Sequence, residues 1–352
     1  NSTDRFTWQM ASPQTVYYVL VSNAEATVNN IRAETSSAGV NTDRLDTAPH
    51  WIFANPSQIS IATGRFTMSS GTGDLAVTGV GFQPKAYILF LTKNDTDDTD
   101  SAEGSGLGSQ LSIGMTDGTN QFCMTSGVED DQGTSDVGRR GFETSQGSEV
   151  GNAVACNIDV GSGSQDVRGE AAHVSMDVDG FTINRSVTFT EPTNVLVEYI
   201  AFGGADLTAH VDLVNLNNTL DASVNETAPG FEPDLVITSF TGKYLDATGN
   251  SDNDDDSISY GWAINPSIQP TDNQFSITKS SRDGQSTATG QTRIDSSYAG
   301  ISFRDGTIDT GFEIENFDAS GFDVTTRVSA SGDNEIMGYL ALDLGSNPRS
   351  TR

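Results

Sequence analysis

Residues Gly79–Lys93 read GVGFQPKAYILFLTK, and residues Ala228–Gly242 read APGFEPDLVITSFTG. Each stretch carries Gly-Phe, one polar residue and Pro, and each then enters an apolar run. Pro has no N–H to offer a ladder and is tolerated at the first residue of a strand. Gly supplies the backbone freedom of the turn ahead of it. Both phrases therefore read as a turn that delivers Phe, and then a strand, into a core. The same entry recurs 149 positions on, from Gly81 to Gly230, which points to a repeat.

Four further matches follow in order. Leu111-Ser-Ile-Gly-Met115 corresponds to Ile258-Ser-Tyr-Gly-Trp262, and Asn120-Gln-Phe122 to Asn273-Gln-Phe275. Asp179-Gly-Phe-Thr-Ile183 corresponds to Ser320-Gly-Phe-Asp-Val324, and Tyr199-Ile-Ala-Phe202 to Tyr339-Leu-Ala-Leu342. The offset drifts while the order is kept, as loop insertions and deletions produce. Within each copy, short stretches alternate apolar and polar residues. Val195, Val197 and Tyr199, and Ile314 with its neighbours, read as strands with one wet face.

The expected fold is all-β: two tandem, related antiparallel β-sandwich domains, jelly-roll-like, after a small N-terminal segment. The segment is residues 1–63, the sandwiches are 64–208 and 209–345, and 346–352 is a flexible tail. Residues 1–60 lie outside the repeat. Thr15–Val21 (TVYYVLV) reads as one strand, and Asn23–Thr35 (NAEATVNNIRAET) as a short helix. This segment either docks or oligomerises, or it adds strands to the first sandwich.

Charge narrows the function. The chain has 48 acidic residues, 34 of them Asp, against 18 Lys and Arg, for a net charge of −30. Only four residues are Lys. Asp excess with scarce Lys is the composition of a halophilic proteome; the alternative is an acidic extracellular or virion protein. Molar salt shortens the Debye length to about 3 Å, so such a surface becomes tolerable there. Nucleic acid is excluded as a partner, because phosphate contacts need Lys and Arg. No apolar run reaches the roughly 18 residues of a membrane span, so membrane insertion is not expected.

Two acidic runs, each after the first strand of its repeat, are the candidate metal sites. Asp95, Asp97, Asp98 and Asp100 form one; Asp252, Asp254, Asp255 and Asp256 form the other. Oxygen-rich clusters of this kind suit Ca²⁺ or Mg²⁺. Asp252-x-Asp254-x-Asp256 fits the opening of an EF-hand loop. Ser257 then replaces the required Gly and Ala263 the Glu, so that motif fails. The alternative is a solvated, salt-tolerant loop. Cys123 and Cys156 are the only cysteines, and they form either a disulfide or two buried thiols. His50, His173 and His210 show no metal-ligand spacing. No nucleophile elbow, zinc-protease motif or phosphate loop is present, so no catalytic residue is assigned and a non-enzymatic role is expected.

The phrase Thr78-Gly-Val-Gly-Phe-Gln-Pro84 resembles one that leads into a β-sandwich strand in surface proteins of tailed viruses. With the acidic composition, the resemblance implies a capsid turret, spike or tail-fibre subunit of a haloarchaeal virus. It further implies a symmetric homo-oligomer on the virion surface, attached to other capsid or tail proteins and touching a host surface glycoprotein or glycan. The sequence shows no heptads, no collagen-like triplets and no fibrous β-repeat, which favours a compact knob over a long shaft. The competing reading is a secreted or cell-surface adhesion or carbohydrate-binding protein of a halophile.

Overall fold

A computed structural model describes residues 59–93, 109–129, 153–158, 167–189, 194–244, 256–282, 290–304, 306–329 and 335–345. It also describes the backbone of 136–143 and of seven short strands before residue 59. The described residues fall into two units, one within Asn1–Gln58 and one spanning Ile59–Gly345. They contain strands and no helix.

The first unit holds β1 (Phe6–Trp8), β2 (Gln14–Tyr17), β3 (Leu20–Val21), β4 (Ala24–Ala26), β5 (Ile31–Glu34), β6 (Ser37–Ala38) and β7 (Trp51–Ala54). All their pairings are parallel: β1 with β4, β2 with β5, β5 with β7, and β3 with β6. Phe6 pairs with Ala24, Gln14 with Ile31 and Leu20 with Ser37, so successive passes of the chain stack in register. This corrects three expectations. The helix over Asn23–Thr35 does not form: β4 and β5 occupy it, since β-branched Thr27 and Val28 and the Asn29-Asn30 pair are poor helix formers. The single strand over Thr15–Val21 is two, β2 and β3. A short stacked β-repeat also exists, carried by backbone pairing without a repeated motif.

Ten strands follow from Ile59: β8 (Ser60–Ser69), β9 (Gly73–Thr78), β10 (Pro84–Leu91), β11 (Ser109–Thr116) and β12 (Gln121–Glu129) open the series. It continues with β13 (Asp136–Glu143), β14 (Ala155–Ile158), β15 (Val167–Asp177), β16 (Gly180–Val187) and β17 (Asn194–Gly203). A second ten begin with β18 (Thr208–Asn215), β19 (Ser223–Glu226), β20 (Leu235–Tyr244), β21 (Asp256–Ile264) and β22 (Gln274–Ser281). They end with β23 (Gly290–Asp295), β24 (Gly300–Arg304), β25 (Thr307–Glu315), β26 (Phe322–Ser329) and β27 (Glu335–Asp343).

Strand order is the same in both sets. The first six-stranded sheet runs β13-β12-β11-β10-β17-β8 and the second β23-β22-β21-β20-β27-β18. The four-stranded sheets run β14-β15-β16-β9 and β24-β25-β26-β19. Every strand pairing in these four sheets is antiparallel.

Each six-stranded sheet packs on its four-stranded partner. Tyr87, Leu89, Phe181, Val197 and Tyr199 fill the first sandwich, and Val236, Phe240, Phe312, Phe322 and Tyr339 the second. Each large apolar side chain buried this way contributes roughly 1.5–3 kcal/mol. Phe82 and Phe231, which lead the two quoted entries, pack against these separate cores. The first entry is tied down by Asp179, whose carboxylate accepts the N–H of Gly79 (3.1 Å) and of Gly81 (2.6 Å). The Ser320 carbonyl accepts Gly230 N–H at 2.9 Å in the second.

A third core joins the sandwiches. Ala86, Ile88, Ile113, Met115, Phe122 and Met124 of the first six-stranded sheet meet Leu207, Val211, Ile237, Ile258, Leu340 and Leu342 of the second half. The apolar run of β10 now has its reason. Odd positions Tyr87, Leu89 and Leu91 face the sandwich interior, and even positions Ala86 and Ile88 face the other sandwich. A strand buried on both faces reads as continuously apolar.

Cys123 on β12 and Cys156 on β14 form a disulfide across the first sandwich, with Cα atoms 6.3 Å apart. Beside it, the buried Gln110 amide donates to Ser112 Oγ and Thr125 Oγ1 (both 2.7 Å) and accepts Ile158 N–H at 3.3 Å. The polar seam there is satisfied, as burial requires.

Candidate functional site

Asp95, Asp97, Asp98, Asp100, Asp252, Asp254 and Asp255 lie outside the described residues, as does the side chain of Asp256, whose backbone opens β21. His50 and the tail 346–352 also lie outside them. Among the described residues, no cluster of three or more His, Cys, Asp or Glu has the geometry to hold a metal ion.

His173 and His210 sit on either side of one turn. Asp117, between β11 and β12, accepts N–H groups of Thr119 (2.8 Å) and Asn120 (2.7 Å) with one oxygen. Its other oxygen accepts Val211 N–H at 2.9 Å from β18, so the turn also ties the two sandwiches together. His210 Nδ1 stands 3.6 Å from that oxygen, and its Nε2 stands 3.7 Å from Asp212 Oδ2. The His210 imidazole beside it holds the Asp212 carboxyl below its ordinary range. His173 Nδ1 lies 3.0 Å from the Tyr87 hydroxyl, and burial lowers the pKa of its imidazole. Nearby, burial raises Glu226 and Tyr339. Asp117, with Val211 and His210, forms a polar joint between the two sandwiches.

The surface that stands apart is apolar. The two six-stranded sheets overlap in part: β10 to β13 pack on β18, β27, β20 and β21. On the second sheet, β22 and β23 lie at the margin of this overlap, where Lys279 Nζ of β22 donates to Ser109 Oγ of β11 at 2.9 Å. Tyr260 pairs with Ile277, and Ile277 with Ile294, so the three form a row across β21, β22 and β23. Ile277 is 49% exposed and Ile294 79%. In the next row Trp262 pairs with Phe275, the rings edge to face at 4.4 Å and 87°. Tyr260 meets Phe90 of the first sandwich edge to face at 5.4 Å, which ties the ledge to the shared core.

Sequence reasoning missed this ledge, although β22 carries a signal for it. Ser276, Thr278 and Ser280 are buried, and Phe275 and Ile277 point the other way. A strand that buries hydroxyls and presents apolar groups inverts the usual alternation. On that buried side Thr278 Oγ1 donates to Ser259 Oγ at 3.0 Å.

The sequence matches no protein-family model and no curated protein.

Proposed function

We propose that the chain is a non-enzymatic virion structural protein: a capsid turret, spike or tail-fibre subunit on the surface of a tailed virus of a halophilic archaeon. The observation that carries this reading is the ledge of Tyr260, Ile277 and Ile294 left open on a rigid double sandwich. Contiguous exposed apolar surface marks a contact site, and a scaffold with a shared core holds such a site at fixed geometry. The entry phrase at Thr78–Pro84 and the charge of −30 supply the viral and halophilic parts of the reading. In it, the chain is a homo-oligomer attached to other capsid or tail proteins, the stacked strands of the first unit are a docking or oligomerisation segment, and the outer loops meet a host glycoprotein or glycan.

One observation favours a second reading. Tyr260, Trp262 and Phe275 are half-buried aromatics grouped on one surface, an arrangement that also suits the apolar face of a sugar. The chain would then be a secreted or cell-surface adhesion or carbohydrate-binding protein. Antibody raised against the chain, applied to purified particles and to the cells that produce it, separates the two. Label on the particle exterior supports the virion reading. Label confined to the cell envelope or the medium overturns it in favour of the second.

A further inference from the structure

We propose that the ledge is covered by a second copy of this chain, ledge to ledge about a two-fold axis. The inference rests on the ledge being an assembly surface and names its partner.

The register of the two sandwiches carries the argument. Gly114 and Gly261 occupy equivalent places: a Cβ on either would strike a carbonyl oxygen, of Val154 at 1.7 Å or of Ala299 at 2.0 Å. Gly114 pairs with Cys123, and Gly261 with Ser276. Phe122 therefore corresponds to Phe275, and Met124 to Ile277. Phe122 and Met124 are 1% and 3% exposed, because the second sandwich covers them. The same strand face, at the same register, is buried in one half by a sandwich of this chain and open in the other. The open face is continuous with that interface through Tyr260 and Trp262, which pack against the shared core.

Among the described residues of the two six-stranded sheets, the ledge has one candidate complement besides itself. On the first six-stranded sheet, the strip left free lies on β8 and β17. Its exposed outward residues are Ile61, Thr63, Arg65, Thr67 and Glu198, four of the five polar, and the apolar Leu196 and Ile200 beside them are half-buried. Ile277 and Ile294 are adjacent across the ladder, so the ledge matches itself better than it matches that strip. A self-complementary patch closes as a two-fold dimer. A contact two strands wide falls at the low end of the roughly 1,200–2,000 Å² that stable interfaces bury, so the dimer dissociates on dilution. Molar salt favours it by screening the repulsion between two chains that each carry a net charge of −30.

The test is the mass of the full chain in molar salt across a dilution series, by light scattering and mass photometry. The wild type is expected as a dimer that dissociates on dilution. Ile294→Asp, at an exposed position, is expected to keep the wild-type melting curve and weaken the dimer by at least about tenfold, and Ile277→Asp/Ile294→Asp to abolish it. Both native cysteines are in the disulfide, so Ile294→Cys introduces a lone thiol and is expected to oxidise to a covalent dimer. A dimer unaffected by both Asp variants overturns the proposal while leaving assembly through another surface standing. A ring or larger closed oligomer, or a wild type monomeric at every concentration, also overturns it; particle labelling then decides the virion reading separately.

Discussion

Phe122 of the first sandwich lies on Gly338 of the second: a Cβ at Gly338 would stand 2.4 Å from two carbons of the Phe122 ring. Phe122 is fully enclosed and has nowhere to move. Gly338→Ala is therefore expected to overpack the joint and cost about 1–3 kcal/mol, measured as a lower midpoint in denaturant unfolding. An unchanged midpoint would mean that the two sheets are not in contact there.

The disulfide between Cys123 and Cys156, 33 positions apart, links the two sheets of the first sandwich. Replacing both by Ala is expected to lower stability by about 3–4 kcal/mol. The fold is expected to survive, since Ser276 stands at the place of Cys123 in the second sandwich and no bridge exists there.

Salt dependence has a local test. Arg327 Nε donates to Glu313 Oε2 (2.7 Å), Nη2 to Glu315 Oε1 (2.8 Å) and Nη1 to Asp221 Oδ1 (2.9 Å). Arg327→Gln leaves three carboxylates facing one another. The variant is expected to melt below the wild type, by a wider margin at about 0.05 M NaCl than at molar salt, where repulsion is screened beyond about 3 Å. The wild type itself is expected to lose structure at the lower salt, given its charge of −30. Full retention there would contradict the halophilic reading.

Two groups set opposite pH slopes. Burial raises the pKa of Glu226, so the folded state favours its protonated form. Its contribution is complete below the unfolded value of about 4.3 and is lost as pH rises through the folded value. Glu226→Gln is expected to raise the melting temperature near pH 7 and to leave it unchanged near pH 4. Burial lowers the pKa of His173, so the unfolded chain binds more protons just below about pH 6.5. Stability falls there as pH drops, and His173→Gln is expected to remove that slope.

Much of the double fold was legible in the sequence. The five matched phrases lie on equivalent strands and turns, because each marks a strand entry or a residue enclosed on all sides. Phe181 with Tyr199, and Phe322 with Tyr339, even keep the same edge-to-face contact, at 5.6 Å and 5.1 Å. The joining of the sandwiches was not legible. Ile88 and Ile237 face each other's sheets, and nothing local says which surface covers a doubly apolar strand. The ledge was missed because Ile277 and Ile294 become neighbours only through the β22–β23 register. The parallel strands of the first unit were misread because Ala24–Ala26 and Ile31–Glu34 contain good helix formers, and backbone pairing overrode that preference.

The account turns on two like sandwiches sharing one core, and native-state hydrogen exchange with Phe122→Ala reads that directly. Truncation of this ring costs about 3–5 kcal/mol. If the core is shared, amides of β10 and of β20 lose protection by similar amounts. If only the first sandwich is affected and β20 exchanges as in the wild type, the halves are independent and the shared core is wrong.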